Sequence, residues 1–403
     1  QRQAGDTSRL AIDWLEDQGD QPFFLFLHYF DPHAEYAPPE PYATQFKDNL
    51  YAGEIAYTDH CIGQVIDKLK SMDLYDSTLL IVTSDHGEGL GEHKEETHAY
   101  YIYQSTIHVP LIIKAPGCSA GSKRARPVGI VDVVPTVLGS TGITPPPHLQ
   151  GQDLSALLAA APLDEKGESA RQALYCESLQ PTVYGGNGLF GLINNRWKYI
   201  WTTNPELYDL VADPNETNNL IDKETTIAAK MQEQLQGMKK AETELAMHQL
   251  DTEGVKRIKS LGYLDAGIPV TAVEVDPKRE NPKELLDHHN RLIKSMKYAS
   301  NGNLTEARQA CLEILKLRPR DPQTLKHLGD LAAEEKRHAD AISRYSQYLS
   351  AISELNESAT QQSILSTSAE NASVYNNLGL AFQGLGQSEQ AIAHFQRALE
   401  INP

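Results

Sequence analysis

The feature of this 403-residue sequence that most restricts its fold is an internal repeat in its last third. Tyr298, Gly302, Ala307 and Pro319 answer to Leu328, Gly329, Ala341 and Tyr345, which sets a first repeat from about residue 288 and a second from Pro322, a period of about 34 residues. The third is the clearest, with Tyr375, Leu378, Gly379, Phe382, Gly386, Ala391, Phe395, Ala398 and Pro403 in alternating small and large packing positions. Residues 353–371, rich in Ser, Glu and Gln, read as an insertion that lengthens a helix or loop. A unit of this length is a helix pair that cannot bury its apolar face alone, so neighbours stack into a curved solenoid with a concave surface. A generic helical bundle is the plainer reading, and the register weighs against it.

The spacing resembles the tetratricopeptide repeat. The resemblance implies an all-α array over residues 284–403 (about 288–321, 322–371 with the insertion, and 372–403) that holds a protein or peptide partner. Residues 265–283, with Gly267, Pro269, Pro277 and Pro282, have no sustained period and read as a linker, so the repeats are expected to be separable from what precedes them.

Residues 1–264 alternate short apolar runs with helix-period segments, the pattern of an α/β fold with a mostly parallel sheet flanked by helices. Phe23 to Leu27 is a continuous apolar run, as expected of a strand covered on both faces. Ile55, Ile62, Val65, Ile66, Leu69 and Met72 fall on one helical face between it and the next strand, Thr78 to Thr83. Val109 to Ile113 is a further strand, and Val133 to Leu138 starts a helix with Pro135 in its first turn. Strand-like pieces around Trp197 to Trp201 predict a small second sheet, and residues 221–261 have helical composition.

The net charge of −18 argues against a nucleic-acid partner, because phosphate neutralisation needs clustered Lys and Arg. An anionic substrate must therefore meet positive charge locally, from a metal or a few placed side chains. Cys61, Cys118, Cys176 and Cys311 form no CxxC pair, so they read as buried or loop thiols rather than a zinc site or a disulfide framework. No apolar run approaches the ~20 residues needed to span a bilayer.

Asp85 and His86 stand where the apolar strand Thr78 to Thr83 ends, and ligands of open α/β sheets bind outside the carboxyl ends of strands. A carboxylate and an imidazole side by side can reach one divalent cation, and Gly87 lets the chain turn away sharply. A capping Asp beside a hydrogen-bonded His is the blander reading of the pair taken alone. Its surroundings favour the metal. They include Phe-Leu-His28-Tyr-Phe-Asp31-Pro32-His33, Thr83-Ser84-Asp85-His86-Gly87-Glu88, Gly91-Glu92-His93, His98 and Asp132-Val-Val-Pro135-Thr136. Gly151-Gln-Asp153-Leu154, Arg196-Trp-Lys-Tyr199, Glu206-Leu-Tyr-Asp209, Asp213-Pro214, Glu216 and Asn219-Leu220 continue the series.

In type, order and approximate spacing these motifs resemble the sulfatase family of the alkaline phosphatase superfamily, over roughly Thr7 to Gly262. The resemblance implies an alkaline-phosphatase-like α/β domain with a small C-terminal sheet, acting as a sulfuric ester hydrolase on a sulfated small molecule or carbohydrate. It implies one divalent metal, usually calcium, held in part by Asp85 and His86, and a formylglycine nucleophile made from Cys or Ser in a Cys-x-Pro-x-Arg motif. His33 carries over as the active-site histidine near sulfate and leaving group. His98 stands where relatives usually have Lys, able to bind a sulfate oxygen or donate a proton. Lys94 reads as a solvated loop charge that could contact substrate, His28 and His93 as structural, and Glu88 as a group orienting a metal-bound imidazole.

No Cys-x-Pro-x-Arg or Ser-x-Pro-x-Arg occurs in the sequence. The nucleophile and further Asp ligands are therefore expected upstream of Gln1, and this stretch alone is expected to be inactive. An extracytoplasmic location, periplasmic or secreted, is what the family implies. Two rivals stay open: a phosphodiester or phosphonate-monoester hydrolase of the same superfamily, and an inactive scaffold working through its repeats.

Overall fold

The computed structural model describes residues 2–19, 21–118, 121–146, 149–158, 173–244, 275–358 and 368–402. They divide into a first unit, 1–85 with 109–170, and a second, 86–108 with 171–403.

The first unit is built on two helices, α1 (Ala4–Gln18) and α2 (Leu50–Ser71). Asn49 caps α2 by accepting the Ala52 N–H at 3.0 Å, and Lys68 and Lys70 in its last turn complement the helix dipole. Cys61, Val65 and Leu69, four residues apart, form its buried stripe, and Val65 and Leu69 pack with Ala11 and Leu15 of α1. Phe23, Leu25 and Leu27 close over this cluster. The alternate residues Phe24 and Phe26 are 79% and 68% exposed, so the run is covered on one face rather than the expected two. It is extended and joins no ladder.

Strands β1 (Leu80–Thr83) and β2 (Leu111–Lys114) follow, with Leu80 opposite Lys114 and Thr83 opposite Leu111. Their pairing is antiparallel. The expected parallel order does not appear among the described residues, because each apolar run that would take part either pairs antiparallel or stands alone. Helix α3 (Val133–Ser140) begins at the buried Asp132. That carboxylate accepts the N–H groups of Gly129 at 2.9 Å and Gln152 at 2.7 Å, while the Thr136 hydroxyl accepts the Leu154 N–H at 3.0 Å. A Cβ on Gly151, at φ +96, would lie 2.2 Å from the Val131 carbonyl oxygen, so only glycine fits there. Two motifs of the family pattern are thus one staple.

The second unit contains an antiparallel meander, β3 (Leu174–Ser178), β4 (Leu189–Ile193), β5 (Trp197–Trp201) and β6 (Glu206–Asp209), in that spatial order. This is the small sheet anticipated around Trp197. Phe190, Leu192, Tyr199 and Leu207 pack against Ala228, Met231 and Leu235 of α4 (Thr225–Glu244). Residues 245–261 of the predicted helix, 265–274 of the linker, 359–367 of the insertion and Pro403 lie outside the described residues.

Six helices follow: α5 (Pro282–Ser300), α6 (Leu304–Leu317), α7 (Pro322–Glu334), α8 (His338–Ser358), α9 (Ser368–Gly384) and α10 (Ser388–Ile401). Proline opens α5 and α7 behind the caps Asn281 and Asp321, which accept N–H groups at 3.1 and 2.8 Å. The repeat's small positions have a packing cause. A Cβ on Gly329 would come within 2.5 Å of the Tyr345 ring, and one on Gly379 within 2.5 Å of Phe395, so each glycine lets paired helices approach.

The array does not hang free of the sheet. Tyr100, Tyr103, Tyr184, Leu189, Ile200 and Tyr208 share one core with Leu285, Leu286 and Leu292 of α5 and Ala307 and Ile314 of α6. Each leucine or isoleucine among them is worth roughly 1.5–3 kcal/mol when fully buried. The composition of residues 265–283 announces a change of segment, but it does not reveal that the helices beyond fold back onto the preceding sheet.

Candidate active site

In the first unit, His33 sits on a loop bracketed by Glu54, a carboxylate on the buried face of α2. Its two oxygens accept the His33 N–H at 2.9 Å and the Ala37 N–H at 2.7 Å, and burial pushes its carboxyl above the ordinary range. Phe30 stacks on the His33 ring at 4.2 Å. The ring's Nδ1 lies 2.6 Å from the Ala34 carbonyl oxygen, so in the neutral ring Nδ1 carries the hydrogen and Nε2 the lone pair. Asp31 accepts the Ala4 N–H at the start of α1, at 2.6 Å. Asp85 is exposed just beyond β1, with Ser84 Oγ at 3.4 Å from its Oδ1.

The second unit brings His86, Glu88 and His98 together. His86 Nδ1 is 2.8 Å from the Gly87 carbonyl oxygen, which again leaves the lone pair of the neutral ring on Nε2, the form a metal ligand needs. The rings of His86 and His98 stack with centroids 3.9 Å apart. His98 Nδ1 in turn lies 3.1 Å from Oε1 of Glu88. Glu88, anticipated as an orienting group for a metal-bound ring, thus meets the ring of His98.

Lys94 is exposed at the end of a 3₁₀ turn, Glu92–Lys94. The loop is closed by Gly89 N–H to the Thr97 carbonyl at 2.6 Å and Gly91 N–H to the Glu95 carbonyl at 3.0 Å. His93 packs inward: it stacks on Tyr103 at 3.6 Å, its Nε2 lies 3.1 Å from the Asn215 carbonyl oxygen, and burial lowers its pKa. Glu95 is buried, and its carboxylate accepts the N–H groups of Tyr100 at 2.8 Å and Tyr101 at 3.2 Å. Burial raises its pKa to about 7.

Several motif residues serve architecture. Glu206 accepts the Tyr103 hydroxyl at 2.8 Å and pairs with Lys283 at 3.0 Å. Arg196 clasps Asp209 with Nε at 2.9 Å and Nη2 at 2.7 Å. Glu216 accepts the Gln104 N–H at 2.5 Å and meets the fully buried Lys198 at 2.6 Å. That pair is a contact of charges rather than an aligned hydrogen bond.

Among the described residues no group of three or more His, Cys, Asp or Glu side chains is arranged to hold a metal. Asp85 and His86 supply a hard carboxylate and a correctly protonated imidazole, which fits part of a coordination shell. The four cysteines are free thiols, Cys61 and Cys311 of them buried.

Sequence reading missed Glu54, Glu95 and the buried run Tyr100 to Tyr103. A carboxylate on the apolar stripe of α2 was a signal for the first, and four adjacent bulky residues after His98 for the last.

Known families match in the same places. The sulfatase profile matches residues 6–143, that of the N-sulphoglucosamine sulphohydrolase C-terminal region residues 91–241, and the tetratricopeptide repeat residues 372–403. Mouse arylsulfatase K is 31% identical over 231 residues, 53% of this chain and 42% of that protein. The uncharacterized sulfatase YidJ of Escherichia coli K12 is 28% identical over 266 residues, 53% of this chain and 50% of that protein. The chain thus spans about half the length, or less, of these relatives. Phosphonate monoester hydrolase of Agrobacterium radiobacter shares the fold, with TM-score 0.50 and 24% identity over 60% of this chain and 62% of that one. Residues 6–241 therefore belong to the sulfatase family of the alkaline phosphatase superfamily, and residues 372–403 are a tetratricopeptide repeat.

Proposed function

We propose that the chain is the metal- and histidine-bearing part of a hydrolase that cleaves sulfate esters. The observation that carries this reading is the His86–His98 stack behind the strand end, with His86 protonated on Nδ1 and His98 held by Glu88. Asp85 and His86, consecutive in the chain, would hold one divalent cation, most simply Ca²⁺. When bound, and with a formylglycine supplied from upstream sequence, such a cation would supply charge neutralisation at the nucleophile and the sulfate.

The chain's own residues do the rest. Glu88 fixes the orientation of His98, whose Nε2 can bind a sulfate oxygen or give a proton to the departing alkoxide. His33, held by Glu54 and by its own Nδ1 contact, presents Nε2 for the same kind of proton work. Lys94 offers an exposed positive charge to an anionic ester. We further assign 1–264 to the sulfatase domain, 265–283 to a linker and 284–403 to repeats that bind a protein or peptide. A mostly parallel sheet completed by upstream strands, a sulfated carbohydrate or small-molecule substrate and an extracytoplasmic site of action belong to the same reading.

Metal content and aryl sulfate turnover of the full-length protein, wild type and Asp85→Ala, test it. Depleted metal together with lost sulfate hydrolysis is expected. Full metal occupancy and unchanged turnover would remove the assignment, and a preference for phosphonate monoesters over sulfate esters would move it to the phosphoryl branch.

A further inference from the structure

The loop carrying Lys94 is held in an unfavourable backbone form. His93 and Lys94 have φ of +52 and +67, two consecutive non-glycine residues in the left-handed region. Each such residue costs about 1 kcal/mol or more and persists only where its surroundings impose it. The imposing contact on the Lys94 side comes from nearly two hundred residues away. Asn290 Nδ2, on the first repeat helix α5, donates to the Lys94 carbonyl oxygen at 2.8 Å.

The same helix grips the far end of the loop. The Tyr100 hydroxyl, fully buried, donates to the Pro282 carbonyl at 2.7 Å, and its ring lies 4.7 Å from that of His289. Helix α5 is itself fixed from below, since the Tyr184 hydroxyl donates to His289 Nδ1 at 2.8 Å. The sheet, the loop and the first repeat are therefore one packed body, and a helix of the repeat array determines where the Lys94 backbone lies.

We infer that α5 is a positioning element of the active-site loop, with Asn290 the residue that sets Lys94 for its anionic substrate. The inference rests on the proposed role of Lys94 as a substrate contact. It makes the first repeat a working part of the hydrolase and leaves the later repeats for a partner.

The test uses the full-length protein with 4-nitrophenyl sulfate, comparing wild type, Asn290→Ala, Asn290→Asp, Lys94→Ala and the double variant Asn290→Ala with Lys94→Ala. Asn290 is half-buried at the surface, so its loss should leave the thermal midpoint nearly unchanged. Loss of one net hydrogen bond should raise KM about fivefold with kcat little altered, in Ala and in the donor-less, isosteric Asp. Hydrogen exchange at the Lys94 and Glu95 amides should rise in both variants, a readout independent of turnover. In the Lys94→Ala background Asn290→Ala should add nothing. If Lys94→Ala lowers kcat/KM while Asn290→Ala changes neither KM nor exchange, or adds in full to Lys94→Ala, the positioning role alone falls. If Lys94→Ala itself leaves kcat/KM unchanged, the role falls together with the reading of Lys94 on which it rests.

Discussion

Lowering the pH from 7.5 to 5 should loosen α5 from the sheet, and His289 is the reason. It is buried, 3% exposed, between Tyr100 and Tyr184, with Nδ1 accepting the Tyr184 hydroxyl and Nε2 enclosed without a hydrogen-bond partner. Burial first, and the adjacent His288 second, lower its pKa from 6.5 to about 4. A histidine depressed in the folded state stabilises the fold above its unfolded pKa and loses that contribution as pH falls toward the folded value. The window therefore opens near 6.5 and closes near 4. The whole shift corresponds to about 3 kcal/mol, of which about 2 kcal/mol is spent by pH 5. Glu95 works the other way, since its raised carboxyl stabilises below about 4.5 and ceases to as pH rises through about 7. That opposing slope makes a variant comparison necessary. His289→Gln keeps an acceptor for Tyr184 and cannot titrate, so the difference between wild type and variant isolates His289. Hydrogen exchange of the α5 amides, corrected for intrinsic rates, should show protection falling by about 2 kcal/mol more in wild type than in the variant between the two pH values. Equal slopes would mean that the ring is solvated or already charged, and the packing argument for α5 would fail.

Two further outcomes follow from the same unit. Lys198→Ala should destabilise it by about 3–5 kcal/mol, because Glu216 would be left as an uncompensated buried charge; a shift in the urea midpoint worth less than about 1 kcal/mol would contradict the buried pairing. His98→Ala in the full-length protein should lower kcat by about 100-fold or more at an unchanged thermal midpoint, since a general acid contributes on that scale and the half-buried ring carries little of the core; unaltered kinetics would reduce it to a loop residue.

Much of this was legible because the signals were local. The period from residue 288 follows from helix pairs that need Gly329 under Tyr345 and Gly379 under Phe395, and small-against-large spacing is written in the chain itself. Residues 197–201 form a strand because Trp197, Tyr199 and Trp201 on one face alternate with Lys198 and Ile200, which serve a second buried layer, and Pro135 suits the first turn of α3. His86 could be singled out from its place after an apolar strand, and His98 from the family resemblance alone. That their rings stack, and that Glu88 meets His98, depends on the loop's return from Gly89 to Thr97, which no period encodes. Phe23 to Leu27 shows the opposite case: a run apolar at every position predicts two covered faces, whereas Phe23, Leu25 and Leu27 join the apolar cluster and Phe24 and Phe26 are mostly exposed.

The least legible relation is the one with most consequence, the joining of the repeats to the loop at 91–103. A linker is inferred from proline, glycine and lost periodicity, and these report on local backbone order, not on where the chain goes afterwards. What decides whether a following helix array is independent is the polarity of its first face. In α5 that face presents Leu285, Leu286 and Leu292 together with His288 and His289, all buried. An isolated repeat array normally shows a polar outer face on its terminal helix, because a solvent-facing apolar stripe is otherwise a liability. An apolar first helix that begins with a capped proline is therefore already an incomplete interface, and the segment able to complete it must offer bulky, partly polar side chains. Tyr100, Tyr103 and Tyr184 do so, each spending its hydroxyl on a buried acceptor: Pro282, Glu206 and His289. Tyrosine suits this seam because burial of the ring supplies the adhesion while the hydroxyl satisfies groups that a phenylalanine would strand. The physical unit of this part of the chain is thus sheet, loop and first repeat together.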